Sequence, residues 1–311
     1  MPVYHEPPQQ WTGREDPEDG ALAKRMYHLV ADQGDRAVLG FACEAGVERN
    51  KGRLGAKEGP QALRAALSGM SAPDTDLCFT DLGDVVVDGH DLEEGQALLG
   101  HYVKGALEIY HRLVVFGGGH ETAYGSYLGL SGQYTDKKIG IINLDAHLDL
   151  RNVGADGPSS GTPFSQIHAL APTEFDYLCL GVAAESNTQA LFSRAKEWNV
   201  SLVHDRQLLD DPMAADRYIM AMAARCDLIY LTIDIDLLPH YQAPGVSAPA
   251  ARGVPLNTVE RLVDTVLSAC QEQGCKLPLA DLVELSPRHD RDNMTARSAA
   301  ILARKLLRAP V

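Results

Sequence analysis

The sequence predicts an α/β fold, with about eight strands in one doubly wound parallel sheet and helices between them. Three observations lead there. Short apolar runs of strand length alternate with longer stretches of helical spacing. Several of these runs stop at glycine, aspartate or histidine, and in a parallel sheet such carboxyl ends share one edge. The 311 residues show no internal repeat, low-complexity tract or linker. The span 1–311 therefore reads as one domain, with 1–35 as an amino-terminal arm and short helix.

Within the arm, Trp11-Thr12-Gly13-Arg14 reads as exposed, a solvated tail in preference to a docked piece. Residues 37–41 form the first core strand. A polar, glycine-rich loop over 48–55 follows, then a helix over 61–67 with Pro60 suited to its first turn. A strand over 80–87 precedes a helix over 91–110, in which Leu98, Leu99, Tyr102, Val103 and Leu107 recur on one side. The strand 112–116 runs into three glycines that allow close backbone approach, and then a helix over 121–131. A buried strand begins near 137 and ends in Asp145-Ala-His-Leu-Asp149, and a long loop follows to Pro163. Next come a helix from Phe164, a strand over 177–182, a helix over 189–198, a strand over 200–204 and a helix over 212–224. The strand 228–233 leads into Asp234-Ile-Asp236. An amphipathic helix over 255–270, a strand over 279–285 carrying Glu284, and a helix over 295–307 capped by Thr295 complete the chain.

Composition limits the function classes. A formal charge of −14 argues against a nucleic-acid surface, which has to be basic, and disfavours anionic membranes. No apolar run approaches the roughly 18 to 20 residues of a membrane span, and residues 1–19 lack an apolar signal-type stretch. The expected location is cytoplasmic. Six cysteines are scattered without Cys-x-x-Cys spacing, so neither a disulfide framework nor a thiolate zinc site is expected.

The residues at the strand ends carry the chemistry. Asp145, His147 and Asp149 alternate, so on extended backbone they point to one side. Two carboxylates and an imidazole gathered at a strand end repel and desolvate one another unless a cation compensates; otherwise they form a polar turn in solvent. His120 after the glycines and Asp234 with Asp236 stand at two further strand ends. Six such ligands are too many for one ion and suit two divalent ions that share carboxylates. Arg49, Asn50 and Arg53, on a loop of the same edge, are candidates for an anionic substrate, or else a solvated basic loop.

Gly-Gly-Gly-His at 117–120, Asp-Ala-His-Leu-Asp at 145–149, Asp-Ile-Asp at 234–236, Ala243-Pro-Gly245 and Glu284-Leu-Ser-Pro287 together resemble the arginase/agmatinase ureohydrolase family. The resemblance covers nearly the whole chain in the family's order. It implies a three-layer α/β/α sandwich and two Mn(2+) ions per subunit. Asp145 and Asp234 would bridge both ions, His120 and Asp149 would complete one site, and His147 and Asp236 the other. It also implies a homo-oligomer, trimer or hexamer.

A finer likeness is to the branch of the family that cleaves N-formimidoyl-L-glutamate to L-glutamate and formamide. It lies in Arg49–Arg53, Ser159–Phe164, Ser186-Asn187-Thr188, Glu284–Arg288 and Trp11-x-Gly-Arg. Ser160 stands where arginases carry a proton-shuttling histidine, and Ser186 where arginase holds a substrate ammonium with aspartate. The expected chemistry is attack of a metal-bridging hydroxide on an amidine carbon, with Glu284 holding the amidinium and Asp149 passing the proton. Arg151, Arg288, Arg53, Ser160 and Asn187 are the expected substrate-binding residues, and the expected partner is a small anionic amidine. The alternatives are an agmatinase or guanidino-acid hydrolase releasing urea, another bimetal hydrolase, and a non-enzymatic homologue.

Overall fold

The computed structural model describes residues 2–72 and 77–310; Met1, 73–76 and Val311, which fall inside the expected span 1–311, lie outside the described residues. In chain order the strands are β1 (Val3–Glu6), β2 (Arg36–Ala42), β3 (Thr80–Val87), β4 (Arg112–Phe116), β5 (Ile139–Leu144), β6 (Asp176–Val182), β7 (Ser201–His204), β8 (Leu228–Asp234) and β9 (Lys276–Val283). The helices are α1 (Ala45–Arg49), α2 (Gly59–Ser68), α3 (Leu92–Ile109), α4 (Thr122–Gln133), α5 (Pro163–Leu170), α6 (Gln189–Glu197), α7 (Asp205–Asp210), α8 (Asp216–Arg225), α9 (Leu256–Gln273) and α10 (Met294–Arg308).

The nine strands among the described residues join one sheet in the order β1-β3-β2-β4-β9-β8-β5-β6-β7. Every pairing is parallel except that of β1 with β3. The central strands are apolar throughout because both faces are covered, and side chains alternate between two cores. Along β4, Val114 and Phe116 face a core that includes Leu63 and Leu67 of α2, Met222 of α8, Leu262 of α9 and Leu302 of α10. Leu113 and Val115 face the other core, with Leu99 of α3, Leu130 of α4, Phe164 of α5 and Leu191 of α6. This is the three-layer α/β/α sandwich. No described helix is long and apolar enough to cross a membrane, and the six cysteines are free thiols.

The expected arm is where the structure differs most. Residues 3–6 add a ninth strand, with Val3 opposite Val87 and Glu6 opposite Asp84. In place of one short helix there are two 3-10 turns, Pro17–Leu22 and Met26–Leu29, the second burying Met26 and Leu29. Trp11 is buried, not solvated. Its Nε1 donates to Asp81 Oδ2 at 2.6 Å, and its ring stands edge-on to Phe79. The partners that bury it lie about 70 residues further along the chain, beyond any local pattern.

Candidate metal centre

Strands β4, β9, β8 and β5 are successive neighbours, and the chemistry-bearing residues follow their carboxyl ends. The register aligns those ends. Phe116 pairs with Leu282, Asp234 with Val283, and Ile233 with Leu144. His120, Glu284, Asp234 and Asp145 thus leave the sheet at nearly one level. The glycine turn before His120 is a packing requirement, since a Cβ on Gly118 would lie 1.8 Å from the Cys43 carbonyl oxygen.

The six expected ligands fall into two groups that share a member. His120, Asp145, Asp149 and Asp234 gather in one, and Asp145, His147 and Asp236 in the other. Asp145 belongs to both, as a bridging carboxylate would; Asp234 belongs to the first only. His120 Nδ1 lies 3.1 Å from an oxygen of each of Asp145, Asp149 and Asp234, yet forms a hydrogen bond with none. One ring nitrogen has one proton or one lone pair and cannot serve three anions. Its other nitrogen, Nε2, lies 3.1 Å from Thr232 Oγ1, which suits the tautomer with the Nδ1 lone pair facing inward. His147 Nδ1 lies 3.1 Å from Asp236 Oδ2, and Asp236 Oδ1 is a second buried orphan.

Electrostatics give the same answer. Burial, then Asp236 and Asp145, pushes the Asp234 carboxyl well above the usual range. Burial favours a neutral ring at His120, but the surrounding carboxylates carry its pKa well above the ordinary value. Left to its own groups, the cluster has to hold protons at neutral pH; divalent cations would satisfy the same oxygens and nitrogens. Buried orphan donors and an all-oxygen-and-imidazole set therefore fit two hard or borderline divalent ions.

Glu284 sits beside this cluster. Its Oε1 accepts the His120 backbone N–H at 2.9 Å and its Oε2 accepts the Ser247 hydroxyl at 2.7 Å. Burial, then the Glu121 and Asp236 charges, raises its pKa to about 8. Both Asp149 (φ 46°) and Glu284 (φ 67°) occupy the left-handed backbone region. On its own Glu284 is therefore mostly protonated at neutral pH, and a cation beside it would return it to the carboxylate form.

The expected substrate-binding residues divide. Ser160 is buried, its backbone N–H on the Gly46 carbonyl and its hydroxyl accepting from Asn50 Nδ2 at 3.1 Å. Arg151 is exposed beside Gly161 and Asn50, and its guanidinium makes no hydrogen bond or ion pair among the described residues. Arg288 is paired with Glu58 at 2.9 Å, so its charge is already compensated. Arg53 donates to the Val246 and Ser247 carbonyls. Asn187, expected at the substrate, has its amide engaged within the chain. Its Oδ1 accepts Leu148 N–H at 2.9 Å, and its Nδ2 donates to the Ala146 and Ala183 carbonyls. Its amide holds the 145–149 loop in shape. Asn187→Ala would leave those buried groups unpaired. We expect a loss of about 2–3 kcal/mol in denaturant unfolding, with weaker metal retention.

Some supporting residues went unread in the sequence. Asn143 donates to Asp145 Oδ2 at 2.9 Å, and Thr232 backs His120. Both are polar residues inside otherwise apolar strand runs, two positions before a ligand, and that was a usable signal. Nothing local marked Ser247.

A mainly parallel α/β sandwich with two candidate metal-ligand groups sharing one carboxylate fits the class of binuclear-metal α/β hydrolases. A sequence profile of the Arginase family matches residues 35–308, and the chain belongs to that family. The formimidoylglutamase of Nocardia farcinica is 46% identical over 313 residues, covering 97% of this chain and 96% of that protein. Among solved structures, Trypanosoma cruzi formiminoglutamase with Mn2+ superposes with a TM-score of 0.80 at 24% identity, covering 92% of this chain and 97% of that one. Formimidoylglutamase from Bacillus subtilis gives 0.82 at 22%, covering 97% and 95%. At those identities the structures establish the fold.

Proposed function

We propose that the chain hydrolyses N-formimidoyl-L-glutamate to L-glutamate and formamide. The observation that carries a metal-dependent reaction is His120 Nδ1, equidistant from three carboxylates and bonded to none. The choice of substrate is supported by full-length likeness to formimidoylglutamases at 42–46% identity. His120 and Asp149 with Asp145 and Asp234 would hold one ion, and His147 and Asp236 with Asp145 the other. Manganese is assigned from kinship and is compatible with the donor set.

When bound, such ions supply a water acidified to a pKa of roughly 7. The chain's residues would do the rest. Glu284 would hold the amidinium nitrogens by charge-assisted hydrogen bonds and present the formimidoyl carbon. Hydrolysis adds the water oxygen to that carbon and breaks its bond to the α-nitrogen of glutamate. Asp149 would carry the water's proton to that nitrogen as it leaves. Arg151 is the best placed of the three arginines for a substrate carboxylate, with Ser160 and Asn50 beside it. Arg151→Ala is expected to raise KM about tenfold, the value of a hydrogen bond between charged groups, with kcat little changed. Steady-state kinetics read this directly.

The deciding experiment is a panel with manganese added: N-formimidoyl-L-glutamate, agmatine, arginine and guanidinobutyrate. Formamide and glutamate should appear from the first alone. Urea from any of the others, with none of these products, would transfer the chain to the ureohydrolase reading.

A further inference from the structure

Glu284 can grip an amidinium in the bidentate manner only if its carboxylate plane is fixed, because two parallel N–H···O bonds require both oxygens at set positions. The chain fixes each oxygen from a different side. The His120 backbone holds Oε1, and Ser247 Oγ holds Oε2. The first anchor sits on the rigid glycine turn. The second sits on the turn after Ala243-Pro244-Gly245, outside regular structure, so it needs its own support. Thr295 Oγ1 accepts the Gly245 N–H at 2.8 Å, and the Gly245 carbonyl accepts the Ser286 N–H at 2.7 Å. Beyond Gly245, Arg53 takes over. Its Nε donates to the Ser247 carbonyl at 3.2 Å, and its terminal nitrogen to the Val246 carbonyl at 2.5 Å. A planar guanidinium suits two adjacent carbonyls, whereas an ammonium would not span them with the same geometry.

We propose that Arg53 and Ser247 are positioning residues for the amidine end of the substrate: Arg53 clamps the 246–247 turn, and the Ser247 hydroxyl locks the Glu284 carboxylate plane. This rests on the reading that Glu284 holds an amidinium. It moves Arg53 from the carboxylate end of the substrate to the opposite end.

The test uses the full-length, manganese-loaded protein and formamidinium chloride, a probe with the amidine head and no carboxylate. Ser247→Ala and Arg53→Met are each expected to weaken formamidinium binding in calorimetry by about tenfold, the loss of a hydrogen bond to a charged group. Each should lower kcat on N-formimidoyl-L-glutamate by a comparable factor, with manganese content unchanged. Ser247→Thr, which keeps the hydroxyl, should restore both. The double variant should lose little more than either single one, because the two residues act through one contact. Unchanged formamidinium affinity in either single variant overturns the proposal. If Arg53→Met instead raises only the KM for the glutamate substrate, Arg53 grips a carboxylate. Should the wild-type protein fail to bind formamidinium, both the Glu284 assignment and this one fall. Should it bind the probe, lose that binding in the variants, yet never turn over N-formimidoyl-L-glutamate, the positioning role stands and the substrate is wrong. If Ser247→Ala does not fold, Arg53→Met carries the test by itself.

Discussion

Asp145→Ala is expected to abolish turnover and to take metal content from two ions per chain to fewer than one. Asp145 is the one side chain present in both ligand groups, so its loss opens both sites at once. The loss extends beyond coordination. Oδ1 of Asp145 also accepts the His147 backbone N–H at 2.6 Å, which sets the direction of the next ligand. Asn143 Nδ2, which donates to Oδ2, would lose that partner and keep the Tyr177 hydroxyl at 2.9 Å and the Cys179 sulfur at 4.0 Å. An acidified water is worth several kcal/mol of barrier, so the rate should fall by about a thousandfold or more. Metal analysis alongside the assay checks the claim. Retention of two ions with near-normal turnover would remove Asp145 from its bridging role.

Glu284→Gln is expected to separate chemistry from metal binding. The amide has nearly the same shape and can still accept the His120 N–H, so the protein should fold and keep its ions. It has no charge to offer an amidinium, and one of its two ends becomes a donor facing N–H groups. A loss of at least about a hundredfold in kcat/KM is expected from exchanging a charge-assisted pair for a mismatched contact. A rate within a few-fold of wild type, with metal present, would show that Glu284 does not touch the reacting group.

What could be read from the sequence divides along a physical line. The strands that build the site were legible because they are buried on both faces, so each forms an apolar run with an abrupt end; 112–116 and 228–233 lie within a residue of β4 and β8. The six candidate ligands stand out because acids and imidazoles crowded at such ends repel one another unless a cation joins them, and the structure gathers them into two groups. The arm was not. β1 is four residues long, and its partner strand lies about 80 residues away. The burial of Trp11 depends on Asp81 and Phe79, equally remote. Arg53 and Asn187 are harder to read. Their residue types advertise anion or substrate binding, but in the structure their side chains meet backbone carbonyls and amides, which leave no trace in side-chain identity. Thr295 is the expected cap of the last helix, whereas the Asp290 carboxylate accepts the Thr295 and Ala296 amides and the Thr295 hydroxyl.

The positive φ angles at Asp149 and Glu284 have a consequence for how this protein can change. Each costs the scaffold on the order of 1 kcal/mol or more relative to glycine, and each side chain is an acid in a crowded place. Glycine at either position would relieve that cost and still lose more. At 284 it would strip the His120 N–H and the Ser247 hydroxyl of their acceptor, and at 149 it would take an oxygen from the cluster that ions would tie together. Durability and usefulness therefore depend on the same two acids.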